Sequence, residues 1–137
     1  MKKIYLDTNI LMDFVDNREM REYAMTIIEL GRIGQLQLFA SYLSFANMGY
    51  ILRKRKQDER YHLIRMARKI VTVLPCDAAQ LDTTLTNPVK DYEDMLQYQC
   101  ALAAGCDVIV TNNKRDFQEF CKLPFLTSEE FLLQIEY

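Results

Sequence analysis

Short apolar runs alternate along the chain with longer stretches in which apolar residues recur every three or four positions. The short runs cover residues 3–6, 36–40, 71–74 and 107–111, and each has the length of one buried strand. Helical spacing is clearest in residues 19–33, where the apolar side chains are those of Met20, Tyr23, Ala24, Ile27, Ile28 and Leu30. Strands that alternate with helices predict a parallel sheet covered on both faces.

Capping and turn signals set the ends of further elements. Thr8 or Asn9 is expected to cap a brief helix through Phe14, and Asp77 to cap a helix that runs to about Leu85. The remaining predicted elements are helices at 42–55, 58–71, 91–104, 113–120 and 128–135, and a possible edge strand at 125–126.

Together these elements predict an α/β fold. We expect a three-layer α/β/α sandwich with a central, mainly parallel sheet of about five strands. The chain has 137 residues, of which 50% are hydrophobic, so residues 1–137 are expected to form a single domain with one sizeable core. No stretch approaches the ~18 to 20 continuous apolar residues that span a bilayer, so a cytoplasmic location without membrane contact is expected.

The cysteines give no support for a structural zinc site. Cys76, Cys100, Cys106 and Cys121 are scattered and form no C-x-x-C pair, and the lone imidazole, His62, is distant from them in sequence. Free thiols in a reducing compartment are the prediction.

The net charge of -2 conceals a strongly basic segment. Eight of the chain's 17 basic residues lie between positions 53 and 69: Arg53, Lys54, Arg55, Lys56, Arg60, Arg65, Arg68 and Lys69. Such a segment is either a solvated helix face or a footprint for a phosphate backbone, because neutralising phosphates releases condensed counterions. We interpret the predicted basic turn, with Arg53, Lys54, Arg55 and Lys56, as a candidate surface for binding a nucleic-acid backbone.

Three aspartates stand where predicted strands or helices meet loops. Asp7 follows the first apolar run, Asp116 comes soon after the fourth, and Asp94 lies in the first turn of the predicted helix 91–104. In an open parallel sheet, ligands bind beyond the carboxyl ends of the strands, so these acids are expected to converge there. Converged carboxylates repel one another unless a cation lies between them, and hard divalent cations prefer such oxygen ligands.

Helix capping is the alternative explanation for part of this pattern. Asp91 and Asp94 have the spacing of an N-cap and its third helical residue, and Asn113 and Asp116 have the same offset. Capping does not explain Asp7 at a strand end. A capping role and a metal role are also compatible, because a first helical turn presents free N–H groups.

Two other enzyme classes fit the sequence poorly. A phosphatase with a strand-end aspartate as nucleophile would carry a second aspartate two residues later, where this chain has Asn9. A receiver-type phosphoacceptor would place its aspartate after a middle strand and pair its acids near the amino terminus.

Three segments resemble the acidic motifs of the PIN-domain ribonucleases. They are Ile4–Asp13 (IYLDTNILMD), Asp91–Gln97 (DYEDMLQ) and Ile109–Phe117 (IVTNNKRDF), and Leu126–Phe131 is similar to the family's usual tail. The match keeps the motif order and spans essentially the whole chain. The resemblance implies a divalent-metal-dependent endoribonuclease of single-stranded RNA, in which Asp7, Asp94 and Asp116 hold Mg²⁺ or Mn²⁺.

The same resemblance assigns further roles. Thr111 matches the small hydroxyl residue near the metal, and Asp91, Thr8, Asn9 and Asn113 are supporting candidates. Lys114 and Arg115, beside the last acid, are either solvent-exposed or in contact with substrate phosphate. The bound cation would activate water and neutralise charge on the scissile phosphate, so the reaction needs no histidine base and leaves a 5′-phosphate and a 3′-hydroxyl.

Biological context follows from the resemblance alone. Many bacterial members of the VapC-like group are toxins of toxin–antitoxin pairs, and they commonly form homodimers. An antitoxin protein and a second copy of the chain are therefore expected partners, besides the RNA substrate.

The chain departs from the family pattern at Asn47. The second acid of the family is usually a glutamate on the helix after the second strand, and Asn47 stands at that position. An amide oxygen can ligate a hard cation or orient water, but it carries no charge, so weaker metal binding is expected. Asp91, one helical turn from Asp94, could compensate. The alternative function is a catalytically weakened PIN-like domain that binds RNA or a partner protein without cutting.

Overall fold

The computed structural model describes residues 1–135, which form five strands and eight helices. In chain order the elements are β1 (Lys2–Leu6), α1 (Thr8–Val15), α2 (Arg21–Arg32), β2 (Leu36–Ser41), α3 (Tyr42–Ile51), α4 (Gln57–Ile70), β3 (Thr72–Leu74), α5 (Ala78–Thr86), α6 (Tyr92–Ala103), β4 (Val108–Val110), α7 (Lys114–Phe117), β5 (Phe125–Leu126) and α8 (Ser128–Gln134).

The five strands form one sheet in the order β3-β2-β1-β4-β5, and every neighbouring pair is parallel. In register, Tyr5 of β1 lies opposite Phe39 of β2 on one side and Ile109 of β4 on the other. The prediction of an α/β sandwich around a parallel five-stranded sheet is confirmed.

Alternate residues of the central strands pack into two apolar clusters, one on each face of the sheet. Ile4 and Leu6 of β1 pack into a cluster with residues of α1, α2, α4 and α8, whereas Tyr5 packs with residues of α6 and α7 on the opposite face. Side chains of a strand alternate between faces, so a strand covered on both sides must be apolar throughout. This is why Ile4–Leu6 of β1 and the whole of β4 are continuous apolar runs.

The carboxyl ends of the central strands are joined by backbone hydrogen bonds. The Asp7 N–H donates to the Val110 carbonyl at 3.0 Å, and the Thr111 N–H donates to the Leu126 carbonyl at 2.9 Å. The sheet order changes direction between β1 and β4, because β2 and β4 flank β1 on opposite sides. Asp7 and Thr111 therefore lie at the position where open parallel sheets bind ligands.

Several element boundaries differ from the prediction. Asp7 caps α1 through its side chain, which accepts from the Thr8 N–H, so neither Thr8 nor Asn9 is the cap. The predicted helix 113–120 is one turn, Lys114–Phe117. Helix α3 ends at Ile51, which leaves residues 52–56 as the turn before α4.

Other local predictions are confirmed. Asp77 caps α5 in a reciprocal arrangement with Gln80. Gly105 follows α6 with φ of 72°, a left-handed conformation that glycine adopts without steric cost. Cys76, Cys100, Cys106 and Cys121 are all free thiols. Within residues 1–135, no helix is both long and apolar enough to cross a bilayer.

Candidate active site

A cleft of about 470 Å³ opens beyond the carboxyl ends of β1 and β4. Asp7, Asp94 and Asp116, which lie far apart in the sequence, all line it. The other lining residues are Thr8, Asn9, Asn47, Tyr50, Ile51, Glu93, Gln97 and Asn113. The three predicted acids therefore face one space and not separate parts of the surface.

The tightest group of acids includes Asp91. One carboxylate oxygen from each of Asp91, Asp94 and Asp116 lies within 4.8 Å of the others. Asp91 precedes α6 directly and Asp94 lies in its first turn, so both side chains are presented from one end of that helix. Asp7 lines the same cleft but does not belong to this closest group, whereas Asp91, expected only to support the site, does.

Helix capping does not occupy these side chains. Asp91 and Asn113 hold the N-cap positions of α6 and α7, yet neither side chain makes a capping hydrogen bond. The capping explanation for the acidic pattern is therefore wrong for both positions. Asp94 and Asp116 line the cleft, and the Asp91 carboxylate lies close to both of them.

Asp7 is buried and held by donors on both carboxylate oxygens. Its Oδ1 accepts from the Thr8 N–H at 2.7 Å, and its Oδ2 accepts from the Thr111 hydroxyl at 2.8 Å. Thr111 is itself fully buried, and its Oγ1 also accepts from the Asn113 N–H at 3.0 Å. Thr111 thus orients Asp7, and the backbone of Asn113 orients Thr111.

Burial and mutual repulsion disfavour ionised acids in the cleft. Burial, followed by the charges of Asp7, Asp116, Asp91 and Glu93, raises the pKa of Asp94 to about 7. Burial likewise raises the pKa of Asp7, and this effect is opposed by the hydrogen bonds that Asp7 accepts from Thr111 and Thr8 and by the nearby Gln97 amide. A site in which carboxylates shift one another's pKa in this direction is electrostatically complementary to a cation.

The donor set fits a hard divalent cation. The clustered groups are carboxylate oxygens, which Mg²⁺ and Mn²⁺ prefer to nitrogen or sulfur. Thr8 also lines this region, and its Oγ1 is buried without a hydrogen-bond partner within the described residues. A buried hydroxyl is rarely left unsatisfied, so this atom is suited to a polar ligand in the cleft.

Neutral amides complete the polar lining. Asn47, on α3, faces the cleft where a glutamate was expected from the family pattern. Asn9 also lines the cleft, and its Oδ1 accepts from Arg18 at 3.4 Å. Asn113 is exposed at the rim. These side chains add oxygen atoms without adding charge.

The basic turn adjoins the cleft through Tyr50. The Arg53 guanidinium lies 4.0 Å from the centre of the Tyr50 ring, and it donates to the Tyr50 carbonyl at 2.9 Å. Lys54 and Lys56 are exposed. Arg55 differs from them, because it forms ion pairs with Asp16 at 2.7 Å and Glu59 at 2.8 Å. Arg55 is thus already engaged in packing the turn against the fold.

Lys114 and Arg115 lie beside Asp116 in sequence but do not line the cleft. The Lys114 ammonium pairs with Glu130 at 3.1 Å and lies 5.6 Å from the centre of the Phe125 ring. Arg115 is exposed on α7. Of the two, Arg115 is the better placed to contact a ligand that extends from the cleft.

Four cleft residues were not predicted from the sequence: Gln97, Tyr50, Ile51 and Glu93. Gln97 is the most informative, because it is 2% exposed and polar in the middle of a helix. A signal was present, since Gln97 follows Asp94 by three residues and so shares its face of α6.

Comparison with known proteins supports this description. The PIN domain family matches residues 3–115. Ribonuclease VapC1 from Aquifex aeolicus (strain VF5) is 26% identical over 136 residues, which cover 95% of this chain and 93% of that protein.

Solved structures share the fold at low sequence identity. DNA-bound VapBC from Salmonella typhimurium superposes with a TM-score of 0.72 at 20% identity, covering 93% of this chain and 99% of that chain. VapBC2 from Rickettsia felis, bound to a DNA fragment from its promoter, superposes with a TM-score of 0.72 at 16% identity, covering 90% of this chain and 96% of that chain. VapC20 from Mycobacterium tuberculosis, a sarcin-ricin loop cleaving toxin, superposes with a TM-score of 0.65 at 11% identity, covering 88% of this chain and 98% of that chain. With the family match extending over most of its length, the chain belongs to the PIN domain family.

Proposed function

We propose that this protein is a divalent-metal-dependent endoribonuclease that cleaves single-stranded RNA. The observation that carries the proposal is the convergence of acids at one end of the sheet. Asp91, Asp94 and Asp116 place oxygens within 4.8 Å of one another, and Asp7 lines the same cleft. Membership of the PIN family and similarity to Ribonuclease VapC1 support it.

Asp94 and Asp116, together with Asp91, would hold Mg²⁺ or Mn²⁺, and Asp7 would complete the site from β1. When bound, such a cation supplies a polarised water and neutralises charge that develops on a phosphate. Asp7 is kept oriented by Thr8 and Thr111, and Asn47 contributes a neutral oxygen to the opposite wall. The chain's own contribution is therefore a fixed set of oxygens with excess negative charge.

The RNA backbone would approach over the basic turn. Arg53, Lys54 and Lys56 carry positive charge next to Tyr50, which is 66% exposed and lines the cleft. Phosphates bind to basic side chains, and unpaired bases stack on exposed aromatic rings. We include Arg115 in this surface and exclude Arg55 and Lys114, whose charges are already paired.

We further propose that the protein is the toxin of a toxin–antitoxin pair and acts in the cytoplasm. Similarity to the VapBC complexes and to the toxin VapC20 supports this assignment. Its partners would be an antitoxin protein and a second copy of the chain. The exposed Tyr42 and Tyr50 of α3 are available for such contacts, whereas Met48 and Leu52 are buried in the core.

A second candidate function is RNA or protein binding without cleavage. The specific observation in its favour is Asn47, a neutral side chain in the cleft where an acid would strengthen metal binding. The two candidates differ in one measurable respect, because only the enzyme turns over substrate.

A cleavage assay separates the two functions. We expect an unstructured RNA oligonucleotide to be cut in Mn²⁺ and left intact in EDTA, with 5′-phosphate and 3′-hydroxyl product ends. Asp7→Asn should lower kcat by about a hundredfold or more, the scale on which losing one preorganised charge-stabilising group acts. Asp82→Asn, an exposed change on α5 of the same type, should leave the rate unchanged. Retained RNA binding without cleavage in Mn²⁺ would contradict the enzyme and favour the binding module.

A further inference from the structure

Gln97 connects the cleft to a buried chain of hydroxyl groups. It lies on α6, one turn after Asp94, and is 2% exposed although its side chain is polar. Its Oε1 accepts from the Tyr5 hydroxyl at 2.9 Å and from the Ser44 hydroxyl at 3.2 Å. Gln97 also lines the cleft beside Asp7.

The hydrogen bonds that join these side chains can run in only one direction while the Gln97 oxygen faces Tyr5. The Tyr5 oxygen lies 2.8 Å from Ser41 Oγ as well as 2.9 Å from Gln97 Oε1, but a tyrosine has only one hydroxyl hydrogen. An amide oxygen can only accept, so Tyr5 donates to Gln97 and Ser41 donates to Tyr5. The amide nitrogen of Gln97 then points away from the hydroxyls and toward the cleft.

Asp7 favours the same orientation of the amide. A flipped Gln97 could still bond to Tyr5 and Ser44, because hydroxyl groups both donate and accept. The flipped amide would, however, turn its oxygen toward the Asp7 carboxylate, and two acceptors repel each other. The hydroxyls adapt to either orientation, whereas both oxygens of Asp7 act as acceptors and therefore match only the N–H side of the amide.

We propose that Gln97 is a positioning residue that holds the Asp7 carboxylate oriented toward the acid cluster. Asp7 already accepts from the Thr8 N–H and the Thr111 hydroxyl, and the Gln97 amide, which lines the same cleft, would be its third donor. Tyr5 acts through Gln97, since its hydroxyl fixes the amide. The proposal rests on the metal-dependent function above and assigns roles to two residues, neither of which carries a charge.

Metal affinity in a double-mutant cycle tests the proposal. Gln97→Met removes the donor while keeping side-chain length, and Tyr5→Phe removes only the hydroxyl. By calorimetry, we expect Gln97→Met to raise the Kd for Mn²⁺ about tenfold, as changes to groups that orient metal ligands do. Tyr5→Phe should raise it about threefold in the native background and leave it unchanged in Gln97→Met. The proposal would be overturned if Tyr5→Phe raised the Kd by the same factor in both backgrounds, or if Gln97→Met kept the native Kd.

Tyr98→Phe is the matched control. Tyr98 is a buried tyrosine on the same helix, and its hydroxyl accepts from the Lys122 N–H at 3.0 Å. It does not line the cleft, so this variant should keep the native Kd. If Gln97→Met does not fold, the comparison of Tyr5→Phe with Tyr98→Phe decides, and equal Kd values for the two overturn the proposal.

A metal-free measurement separates this inference from the proposed function. In EDTA, Gln97→Met should lower the Tm by roughly 4 °C in the native background and by less in Asp7→Asn, because a charged acceptor bonds more strongly than a neutral one. Equal Tm losses overturn the role of Gln97. Failure of the native protein to bind Mn²⁺ would instead contradict the metal centre, and the EDTA result would still decide whether Gln97 holds Asp7.

Discussion

At the scale of single residues, the acids of the cleft have different surroundings. Burial raises the pKa of Asp7, and the donors on both of its oxygens oppose that rise. Asp94 sits among Asp7, Asp91, Glu93 and Asp116, and burial together with these charges raises its pKa to about 7. The charge states of both acids therefore depend on whether a cation is present.

Replacing Asp94 should stabilise the metal-free protein at high pH. With a folded pKa of about 7 against an ordinary value of 3.8, the folded protein keeps a proton that the unfolded chain loses. The contribution of Asp94 to the free energy of unfolding is then fully present below pH 3.8 and is lost as the pH rises through about 7. In EDTA at pH 8, Asp94→Asn should raise the Tm by roughly 2–4 °C, measured by circular dichroism, and should flatten the fall in Tm above pH 5.

In saturating Mn²⁺, we expect the native protein to have a higher Tm than Asp94→Asn. The native protein should gain stability from metal binding, and Asp94→Asn should gain little, because a ligand stabilises only the state that binds it. Asp82→Asn serves as the control and should follow the native curve under both conditions. Parallel Tm curves for native protein and Asp94→Asn in EDTA would contradict the raised pKa.

The sequence predicts which acids line the cleft but not how they are held. Asp7, Asp94 and Asp116 could be found because each stands at an element end, and the structure places all three along one cleft. Gln97 could not be assigned a role, because its partners Tyr5 and Ser44 are brought to it only by packing. The ion pair of Arg55 with Asp16 joins residues 39 positions apart, so the charge pattern alone suggested a free cation.

At the scale of elements, α2 and β2 approach closely because position 31 has no side chain. A Cβ atom at Gly31 would lie 2.6 Å from Leu38 Cδ1 and 2.8 Å from Cγ. Gly49, on α3, has no atom within 4 Å of the corresponding position. The two helical glycines therefore have opposite roles, which their sequence contexts do not reveal.

Alanine substitution should separate these two glycines. Gly49→Ala should stabilise the protein by roughly 0.5–1 kcal/mol, because alanine restricts the unfolded chain more than glycine does. Gly31→Ala should instead destabilise it by about 1–3 kcal/mol, because the added methyl group overpacks against Leu38. Urea denaturation monitored by circular dichroism measures both changes, and stabilisation by Gly31→Ala would contradict the close approach.

Element types were predicted better than element ends. Continuous apolar runs identified the central strands, because both faces of the sheet are covered. The end of α3 was placed too late because the polar turn 52–56 has no proline or glycine to mark it. Helix α7 is one turn where a longer helix was predicted, since apolar spacing in residues 117–121 also serves packing in a loop.

At the scale of the whole molecule, charge is segregated although the net charge is only -2. Acids gather in the cleft, and Arg53, Lys54 and Lys56 lie on the neighbouring turn. Electrostatic attraction of RNA must therefore come from a local surface and not from the protein's overall charge.

Salt dependence tests this surface. In EDTA, replacing both Lys54 and Lys56 with Gln should weaken binding of single-stranded RNA and reduce the slope of log K against log salt by about 1.4, since each phosphate contact contributes about 0.7. Fluorescence anisotropy across a salt series measures the slope. Lys2→Gln combined with Lys69→Gln removes the same charge at the opposite, amino-terminal edge of the sheet and should leave the slope unchanged. Equal slopes for the two double variants would show that the basic turn does not bind the RNA backbone.

The central place of β1 in the sheet has a consequence for synthesis of the protein. This strand is synthesised before both of its neighbours in the sheet, and one of them, β4, follows only after β2, β3 and six helices. The cleft around Asp7 cannot form until residues 91–116 have also been made. A nascent chain that has not reached these residues therefore lacks the proposed cleavage site.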